Sequence, residues 1–553
     1  MAGIDKTVTR GSAGKEPPTL ELVLKRNSVE RIKREKDPLG MLAELPALIA
    51  AGYEQVPEED LVRLKWWGLY HDKPKIGTFM LRIKLPAGRV TPAQLEAVGE
   101  LSLRHGKASG ELSTRQTIQL HYLELDSLPE VFRRLDEVGL TTVGACGDAV
   151  RNVTGCPVAG LAEDELFDVG PVVEQVTGFF YGNPDYSDLP RKHKITISAC
   201  AHRCNAPEIN CIALVGALRD GEPGFAVLVG GGLSSVPRLA RDLGVFIRVD
   251  EALPVLCALL DAWKEDLRYR VSRVKARIKF MVDDLGAEGM RAEVERRLGY
   301  ALPDFELDPA PPLTDHIGVQ PEKRHGLVSV GVPVRVGLLS GEQMVAVAAL
   351  ASELGHDVRV TRQQNFVLTS IAAADVPGAG ERLAELELPL IGNPLRAEAI
   401  ACTGEPHCNF SVAETKSRLD VLVAHLEARF GEALAGLKLN LDGCPHACAH
   451  HWVGDLGFQG STVRNEEGVR RQAYDLLLRG GLGPDAAIAR PIFRRVPAEE
   501  LADTVTGLLD GWLQQRDGDE SFRAFCDRKN DDELGLLAGR EPARSRKEEV
   551  AAA

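Results

Sequence analysis

Four cysteines in the C-terminal part of the chain carry the most distinctive chemistry. Five residues separate Cys402 from Cys408, and three residues separate Cys444 from Cys448. Four thiolates can bind zinc or an iron–sulfur cluster. Zinc ribbons and fingers usually use cysteine pairs with about two to four intervening residues, so the spacing of the first pair favours the cluster. The sequence therefore predicts that Cys402, Cys408, Cys444 and Cys448 hold a [4Fe–4S] cluster.

A second cysteine pair, Cys200 and Cys204, has the same spacing as Cys444 and Cys448. Val153 and Ala159 stand near the positions that would correspond to Cys402 and Cys408. This region can therefore offer at most half of a cluster site. Two interpretations remain open: the pair is left over from a duplication, or it has a separate redox or metal role.

The duplication is visible in other segments of the chain. The segment 114–121 resembles 361–368, Thr154-Gly155 recurs as Thr403-Gly404, and the run 231–233 recurs at 480–482. These matches keep the same order at a spacing of about 250 residues, which is far longer than a solenoid repeat. The sequence therefore predicts two related halves, with a bound cofactor between them.

Each half begins with the same predicted elements. A strand at 79–85 precedes a helix that starts with Thr91-Pro92-Ala93-Gln94, and the second half has a strand at 328–338 before Ser340-Gly341-Glu342-Gln343. Both helix starts match capping patterns. In the first half, a further strand near residue 118 and a helix near 128–138 follow. This order predicts a ferredoxin-like α+β unit in each half, followed by a larger mixed region.

The composition narrows the class of protein. The chain has 553 residues, 44% hydrophobic and 26% charged, so several globular domains are expected. Its net charge of −14 argues against a nucleic-acid or membrane-surface binder. The chain lacks a long apolar run, a signal peptide and a convincing dinucleotide-binding fingerprint, and its eleven cysteines do not look like a disulfide framework. We expect a cytoplasmic monomer with loose ends at about 1–18 and 542–553.

At this point the motifs become recognisable. The run from Cys402 to Cys408, followed by Cys444-Pro-His-Ala-Cys448, resembles the siroheme-binding signature of the sulfite and nitrite reductases. Further matches cover roughly residues 20 to 535 and include the segments 79–82, 114–117, 151–153, 189–194 and 275–280. The resemblance implies an α+β, pseudo-twofold duplicated nitrite/sulfite reductase fold with two ferredoxin-like units and two larger α/β domains.

This resemblance fixes the expected domain boundaries. We predict an N-terminal arm (1–60), a first ferredoxin-like domain (61–157), a first α/β domain for siroheme and substrate (158–302), a linker (303–321), a second ferredoxin-like domain (322–398), a second α/β domain with the cluster (399–535) and a tail (536–553).

The resemblance also implies the cofactors and the site residues. They are siroheme and a [4Fe–4S] cluster, bridged by the Cys448 thiolate. A substrate oxyanion needs fixed cations and proton donors, and the family motifs assign these roles to Arg82, Arg151, Lys192 and Lys194. The carboxylates of siroheme need polar partners. The candidates are Arg115, Gln119, His121, Arg277, Lys279, Arg362 and Asn365.

The predicted reaction is the six-electron reduction of sulfite to sulfide, with electrons from ferredoxin or a similar small donor. Reduction of nitrite to ammonia on the same scaffold is the alternative, and Lys194 favours sulfite because nitrite enzymes often carry Asn there. A non-catalytic electron carrier or structural metal protein is the alternative from another class. A basic run could dock an acidic ferredoxin or be a solvated helix face. It comprises Lys25, Arg26, Arg31, Lys33, Arg34 and Lys36.

Two smaller predictions concern single residues. His446, between two cluster cysteines, should lie near the cluster sulfurs without binding iron. Cys156 should lie near the substrate side of the siroheme, where some relatives join a cysteine to a tyrosine. Tyr70 is the predicted partner in such a thioether.

Overall fold

The computed structural model describes residues 17–313, 316–354, 357–390 and 394–543. Most of both predicted loose ends lies outside these ranges. Within them, no helix is long and apolar enough to cross a membrane.

Four helices form the N-terminal arm and pack on the first half of the protein. The Asn27 side chain caps the second helix by accepting a hydrogen bond from the Val29 amide, and it donates one of 2.7 Å to the Arg270 carbonyl. Lys33 is buried between Glu30 and the rest of the first half, so it does not contribute to a basic surface. The helices are α1 (Leu20–Arg26), α2 (Ser28–Glu35), α3 (Met41–Ala51) and α4 (Glu58–Arg63).

The first ferredoxin-like unit is a sheet covered by two helices. Its main helix begins at the predicted position, with Thr91 and Gln94 forming a reciprocal capping box. The elements are β1 (Leu69–His71), β2 (Thr78–Ile83), β3 (Arg89–Val90), α5 (Pro92–His105), β4 (Ser109–Leu112), β5 (Ile118–Glu124) and α6 (Leu128–Glu137).

The first α/β domain follows, with a four-stranded sheet in the order β6-β7-β8-β9. The first two strands are parallel and the others antiparallel. Its elements are α7 (Gly170–Phe180), β6 (Ile195–Ser198), β7 (Ile212–Arg219), β8 (Glu222–Val229), β9 (Arg241–Arg248), α8 (Ala252–Glu265) and α9 (Ile278–Leu298).

The second half repeats both parts. Its ferredoxin-like unit contains β10 (Gly318–Pro321), β11 (Leu327–Val332), β12 (Leu338–Ser340), α10 (Gly341–Leu354), β13 (Val358–Val360), β14 (Phe366–Ala372) and α11 (Val376–Glu385). Its α/β part contains α12 (Pro394–Ala397), β15 (Ala399–Ala401), α13 (Lys416–Phe430), β16 (Leu439–Asp442), β17 (Leu456–Arg464), β18 (Arg470–Leu478), β19 (Arg490–Pro497), α14 (Leu501–Gln515), α15 (Phe522–Arg528) and α16 (Asp531–Ala538). Strand β10 lies within the stretch predicted as the linker. Its pairing with β11 shows that these residues belong to the sheet of the second ferredoxin-like unit.

The two ferredoxin-like sheets exchange edge strands. Strand β12 from the second half pairs with β4, and β3 from the first half pairs with β13. Gly99 of α5 faces α10, and Gly341 of α10 faces α5, so the two helices can pack closely. A Cβ on Gly341 would lie 2.6 Å from Leu103 Cγ. One apolar core joins both units. The ferredoxin-like units of the two halves therefore share one core, and each α/β part has a core of its own.

Candidate functional site

Two neighbouring strands bring the four predicted cluster cysteines together. Strands β15 and β16 are parallel neighbours, so the loops that follow them leave the same edge of the sheet. Cys402 directly follows β15, and its amide donates a hydrogen bond of 3.1 Å to the Leu441 carbonyl in β16. The Gly443 amide, just after β16, donates to Cys402 Sγ at 3.3 Å. The register of these strands therefore places both cysteine-bearing loops side by side.

Asp442 organises the loop that carries Cys444 and Cys448. Its carboxylate accepts hydrogen bonds from the Ala449 amide at 2.8 Å and from His451 Nδ1 at 2.9 Å. Burial and this carboxylate raise the pKa of the Cys448 thiol, and burial is the main cause that raises the pKa of Cys444 to about 12. Iron must therefore displace thiol protons when it binds, as it does at other thiolate sites.

His446 lies where the sequence predicts. Its Nδ1 is 3.4 Å from Cys444 Sγ, and its ring packs edge-on against Phe410 with 4.9 Å between the centroids. This position suits a hydrogen bond to a cluster ligand.

A group of cations faces Cys448. The nearest charged neighbours of its thiol include Lys192 and Lys194, and the Arg82 guanidinium is also close enough to interact with it. Cys448 is exposed, and these cations act on its thiol. All three cations come from the first half, and the thiol comes from the second. The predicted cationic pocket therefore forms at the interface between the halves.

The two lysines of this pocket have unusually acidic ammonium groups. Burial and the neighbouring Lys194 and Arg277 hold the pKa of Lys192 well below its usual value. Burial, together with Arg115 and Arg277, lowers the pKa of Lys194 to about 7. These cations repel one another, and a bound anion would relieve that repulsion.

Backbone groups and one amide orient the two arginines. Arg151 donates to the carbonyls of Ala145 and Gly147, at 2.9 and 2.7 Å. Arg82 donates to Gln119 Oε1 from both Nε and Nη2, at 2.9 and 2.5 Å. Gln119 thus positions a pocket cation, and its own amide donates to Glu111 at 3.0 Å.

Several buried guanidinium nitrogens have no partner among the described residues. Among them are Nε of Arg115, Arg151 and Arg277, three of the predicted site residues. Arg277 packs so closely on Gly232 that a Cβ there would lie 2.4 Å from its Nη2. Buried unpaired donors cost about 1–3 kcal/mol each, so they fit a site that receives a polyanionic group. The carboxylates of siroheme are such a group, and the thiol set suits the cluster.

The other predicted siroheme contacts are already held by protein groups. Asn365 uses its side-chain oxygen for the Val334 amide and its nitrogen for the Ala397 carbonyl. Lys279 donates to three carbonyls, those of Gly232, Leu233 and Val236. For both residues, contact with the cofactor stays a prediction.

His121 and Arg362 also have protein partners. His121 Nδ1 lies 2.7 Å from Asp72 Oδ1, and Nε2 lies 3.4 Å from Glu111 Oε2. Burial opposes the charged ring, but these carboxylates raise its pKa to about 9. Arg362 Nε donates to the Cys204 carbonyl at 3.2 Å, and its side chain lines a small polar cavity with Arg115 and Lys194.

The predicted pairing of Cys156 with Tyr70 is wrong. Cys156 lies with Cys200 and Cys204, whereas the thiol that affects the Tyr70 hydroxyl is that of Cys146. Arg82 Nη1 also contacts Cys146 Sγ, at 3.3 Å. Isolated cysteines such as Cys146 carry no spacing signal, so the sequence alone could not select it.

Two family models match separate parts of the chain. The family model described as "Nitrite and sulphite reductase 4Fe-4S domain" matches residues 146–302. The model described as "Nitrite/Sulfite reductase ferredoxin-like half domain" matches residues 71–138 and 320–386. The second match confirms that the ferredoxin-like unit is duplicated.

Whole-chain relatives cover nearly the full length. "Sulfite reductase [ferredoxin]" of Mycobacterium tuberculosis is 33% identical over 92% of this chain and 96% of its own. "Ferredoxin--nitrite reductase" of Synechococcus elongatus is 35% identical over 88% and 96%. The solved structure of the M. tuberculosis NirA protein superimposes with a TM-score of 0.88 at 32% identity and covers 92% of this chain and 97% of that one.

Proposed function

Since the chain belongs to the nitrite and sulfite reductase family, we propose that it reduces sulfite to sulfide with six electrons from ferredoxin. As a member of this family it is an oxidoreductase with siroheme and a [4Fe–4S] cluster, which excludes the alternative of a non-catalytic carrier. The observation that carries the substrate proposal is the position of Lys192 and Lys194 beside the Cys448 thiol.

The cofactor contacts divide between the halves. Cys402, Cys408, Cys444 and Cys448 would hold the cluster, and Arg115 and Arg277 would receive siroheme carboxylates through their unpaired nitrogens. When bound, the cofactors supply a substrate-binding metal centre coupled to an electron store. Cys448 would be the cysteine that contacts both cofactors, because Lys192 and Lys194 of the cationic pocket are among the charged groups that act on its thiol.

The protein's own groups bind the anion and supply protons. Arg82 and Arg151 present guanidinium groups whose N–H donors match the oxygens of an oxyanion, so they hold the substrate. The Lys194 ammonium group, with its pKa of about 7, can also release a proton near neutral pH as the oxygens leave as water. Burial and neighbouring cations lower the pKa of Lys192 as well. Sulfite, which can carry two negative charges, gains more from this dense cationic pocket than monoanionic nitrite.

The names of the relatives point to ferredoxin as the electron donor. We propose that an acidic donor docks on the exposed basic residues of α1 and α2. Lys33 is buried and Lys36 is half-buried, so the exposed members of the predicted run are Lys25, Arg26, Arg31 and Arg34. We also propose that the enzyme acts as a cytoplasmic monomer.

A direct comparison of the two anions tests the substrate proposal. The holoenzyme should be assayed with sulfite and with nitrite, using the same reduced donor, so that electron delivery cancels in the ratio. We expect the larger kcat/KM with sulfite. A much larger value with nitrite would favour the second candidate, ammonia formation, which the 35% identity to a nitrite reductase keeps in view.

A further inference from the structure

A second group of sulfur ligands lies apart from the cluster cysteines. The Sγ atoms of Cys156, Cys200 and Cys204 and a ring nitrogen of His316 all lie within 4.8 Å of one another. Cys156 Sγ is 3.5 Å from His316 Nε2. Cys156, Cys204 and His316 are buried, and Cys200 is partly exposed.

The spacing of these atoms suits one metal ion rather than a cluster. Zinc bonds of about 2.3 Å to sulfur and about 2.0–2.1 Å to nitrogen place tetrahedral ligand atoms about 3.6–3.8 Å apart. The observed separation of 3.5 Å between Cys156 Sγ and His316 Nε2 is close to this value. A [4Fe–4S] cube would need its thiolates farther apart. Three thiolates and one imidazole form a common closed zinc set.

The ligands come from three distant parts of the chain, and the protein holds each of them in place. Arg362 donates to the Cys204 carbonyl at 3.2 Å, and Ser198 Oγ accepts a hydrogen bond from the Cys200 amide at 3.1 Å. His316 lies against β11, where a Cβ on Gly331 would be 1.8 Å from the His316 carbonyl oxygen. Glycine is therefore required for this approach.

The imidazole has the hydrogen bond that zinc ligands typically make. His316 Nδ1 lies 3.1 Å from Gln320 Oε1, which would leave Nε2 free to bind the metal. Three thiolates and Zn²⁺ carry one net negative charge. The Arg359 guanidinium can offset this negative charge. Cys156 is among the groups that affect the pKa of Arg359, and Arg359 Nε has no partner among the described residues.

We propose that Cys156, Cys200, Cys204 and His316 bind a structural Zn²⁺ ion. Cys200 and Cys204 follow β6 in the first half as Cys444 and Cys448 follow β16 in the second. The ion would connect the loop of Cys156 and the loop of Cys200 and Cys204 to His316, which lies just before β10. Cys156 and His316 are 160 residues apart in the sequence. With four protein ligands it has no open position, and its role is to hold the halves together.

Metal analysis of the holoenzyme tests the proposal. Protein purified without a metal-affinity column should contain one zinc per chain in addition to the iron of its cofactors. X-ray absorption at the zinc edge should give three sulfur ligands at about 2.3 Å and one nitrogen at about 2.0–2.1 Å. This measurement on the wild type does not depend on whether any variant folds. Absence of zinc, or peptide masses with a disulfide among these cysteines, would overturn the proposal.

Variants separate this site from the cofactors. Cys204→Ala and His316→Gln should lose the zinc and lower the thermal midpoint by at least about 5 °C, while the siroheme bands remain. Cys257→Ala is the matched control, because Cys257 is a partly buried free thiol elsewhere in the same domain. Zinc retained in both ligand variants would contradict the assignment.

Discussion

The Thr114 hydroxyl donates a hydrogen bond of 2.7 Å to the carbonyl oxygen of Cys448, the last of the four cluster cysteines. Thr114 belongs to the first half and Cys448 to the second. This bond therefore fixes the backbone of the proposed bridging residue against the half that supplies the cationic pocket.

Removing this bond should loosen the site. Thr114→Val keeps the shape of the side chain but leaves the Cys448 carbonyl unpaired, which costs about 1–2 kcal/mol. We expect the siroheme absorption to be lost at a lower urea concentration than in the wild type. Thr506→Val, at a half-buried threonine of α14 whose hydroxyl lies 3.1 Å from His425 Nε2, is the control and should not shift the midpoint of the siroheme absorption. An unchanged midpoint for Thr114→Val would show that this bond does not support the cofactor site.

Replacing the proposed bridging cysteine should affect both cofactors. In Cys448→Ser, we expect loss or uncoupling of siroheme and cluster, visible in the absorption spectrum and in iron content, because one sulfur serves both. Cys204→Ala should keep these spectra, since its thiol lies in the separate zinc group. Normal spectra and activity in Cys448→Ser would rule out the bridge.

Lys194 should decide between the two anions. Lys194→Asn removes one buried cation and proton donor, and we expect kcat/KM for sulfite to fall roughly ten- to a hundredfold, or about 1.5–3 kcal/mol. The loss for nitrite should be much smaller, and the cofactor spectrum should not change. Lys107→Asn removes an exposed lysine and should leave both values near those of the wild type. Equal losses for both anions would make Lys194 a general cation.

The charged His121 should make stability depend on pH. Its pKa of about 9 in the folded protein lies above the value of about 6.5 expected when unfolded. The stabilisation by Asp72 and Glu111 is therefore complete below about pH 6.5 and is lost as the pH rises through about 9. We expect calorimetry to show the wild-type thermal midpoint falling between pH 7 and 9.5.

The matched variants test this assignment. His121→Gln should have a lower midpoint at pH 7 and lose most of that pH dependence. His425→Gln, at an exposed histidine, should follow the wild-type curve. A wild-type slope retained in His121→Gln would assign the titration to another group.

The sequence by itself determined the local features of this protein. The capping pattern of Thr91 and Gln94 predicts the start of α5, because the two side chains bond to amides three residues apart. The spacing of Cys402, Cys408, Cys444 and Cys448 predicts the cluster ligands. In the folded protein these cysteines lie in loops that follow two adjacent parallel strands. Matching segments also identify the duplicated halves and the family.

Only the tertiary structure decided which distant residues meet. The exchange of β3 and β12 depends on sheet edges that exist only after both halves fold. The grouping of Cys156 with His316, and of Tyr70 with Cys146, depends in the same way on packing between distant segments. Likewise, Lys33 has the sequence context of an exposed helix face, but packing against the first half buries it. Sequence spacing reports contacts along one element, whereas these contacts arise where separate elements pack.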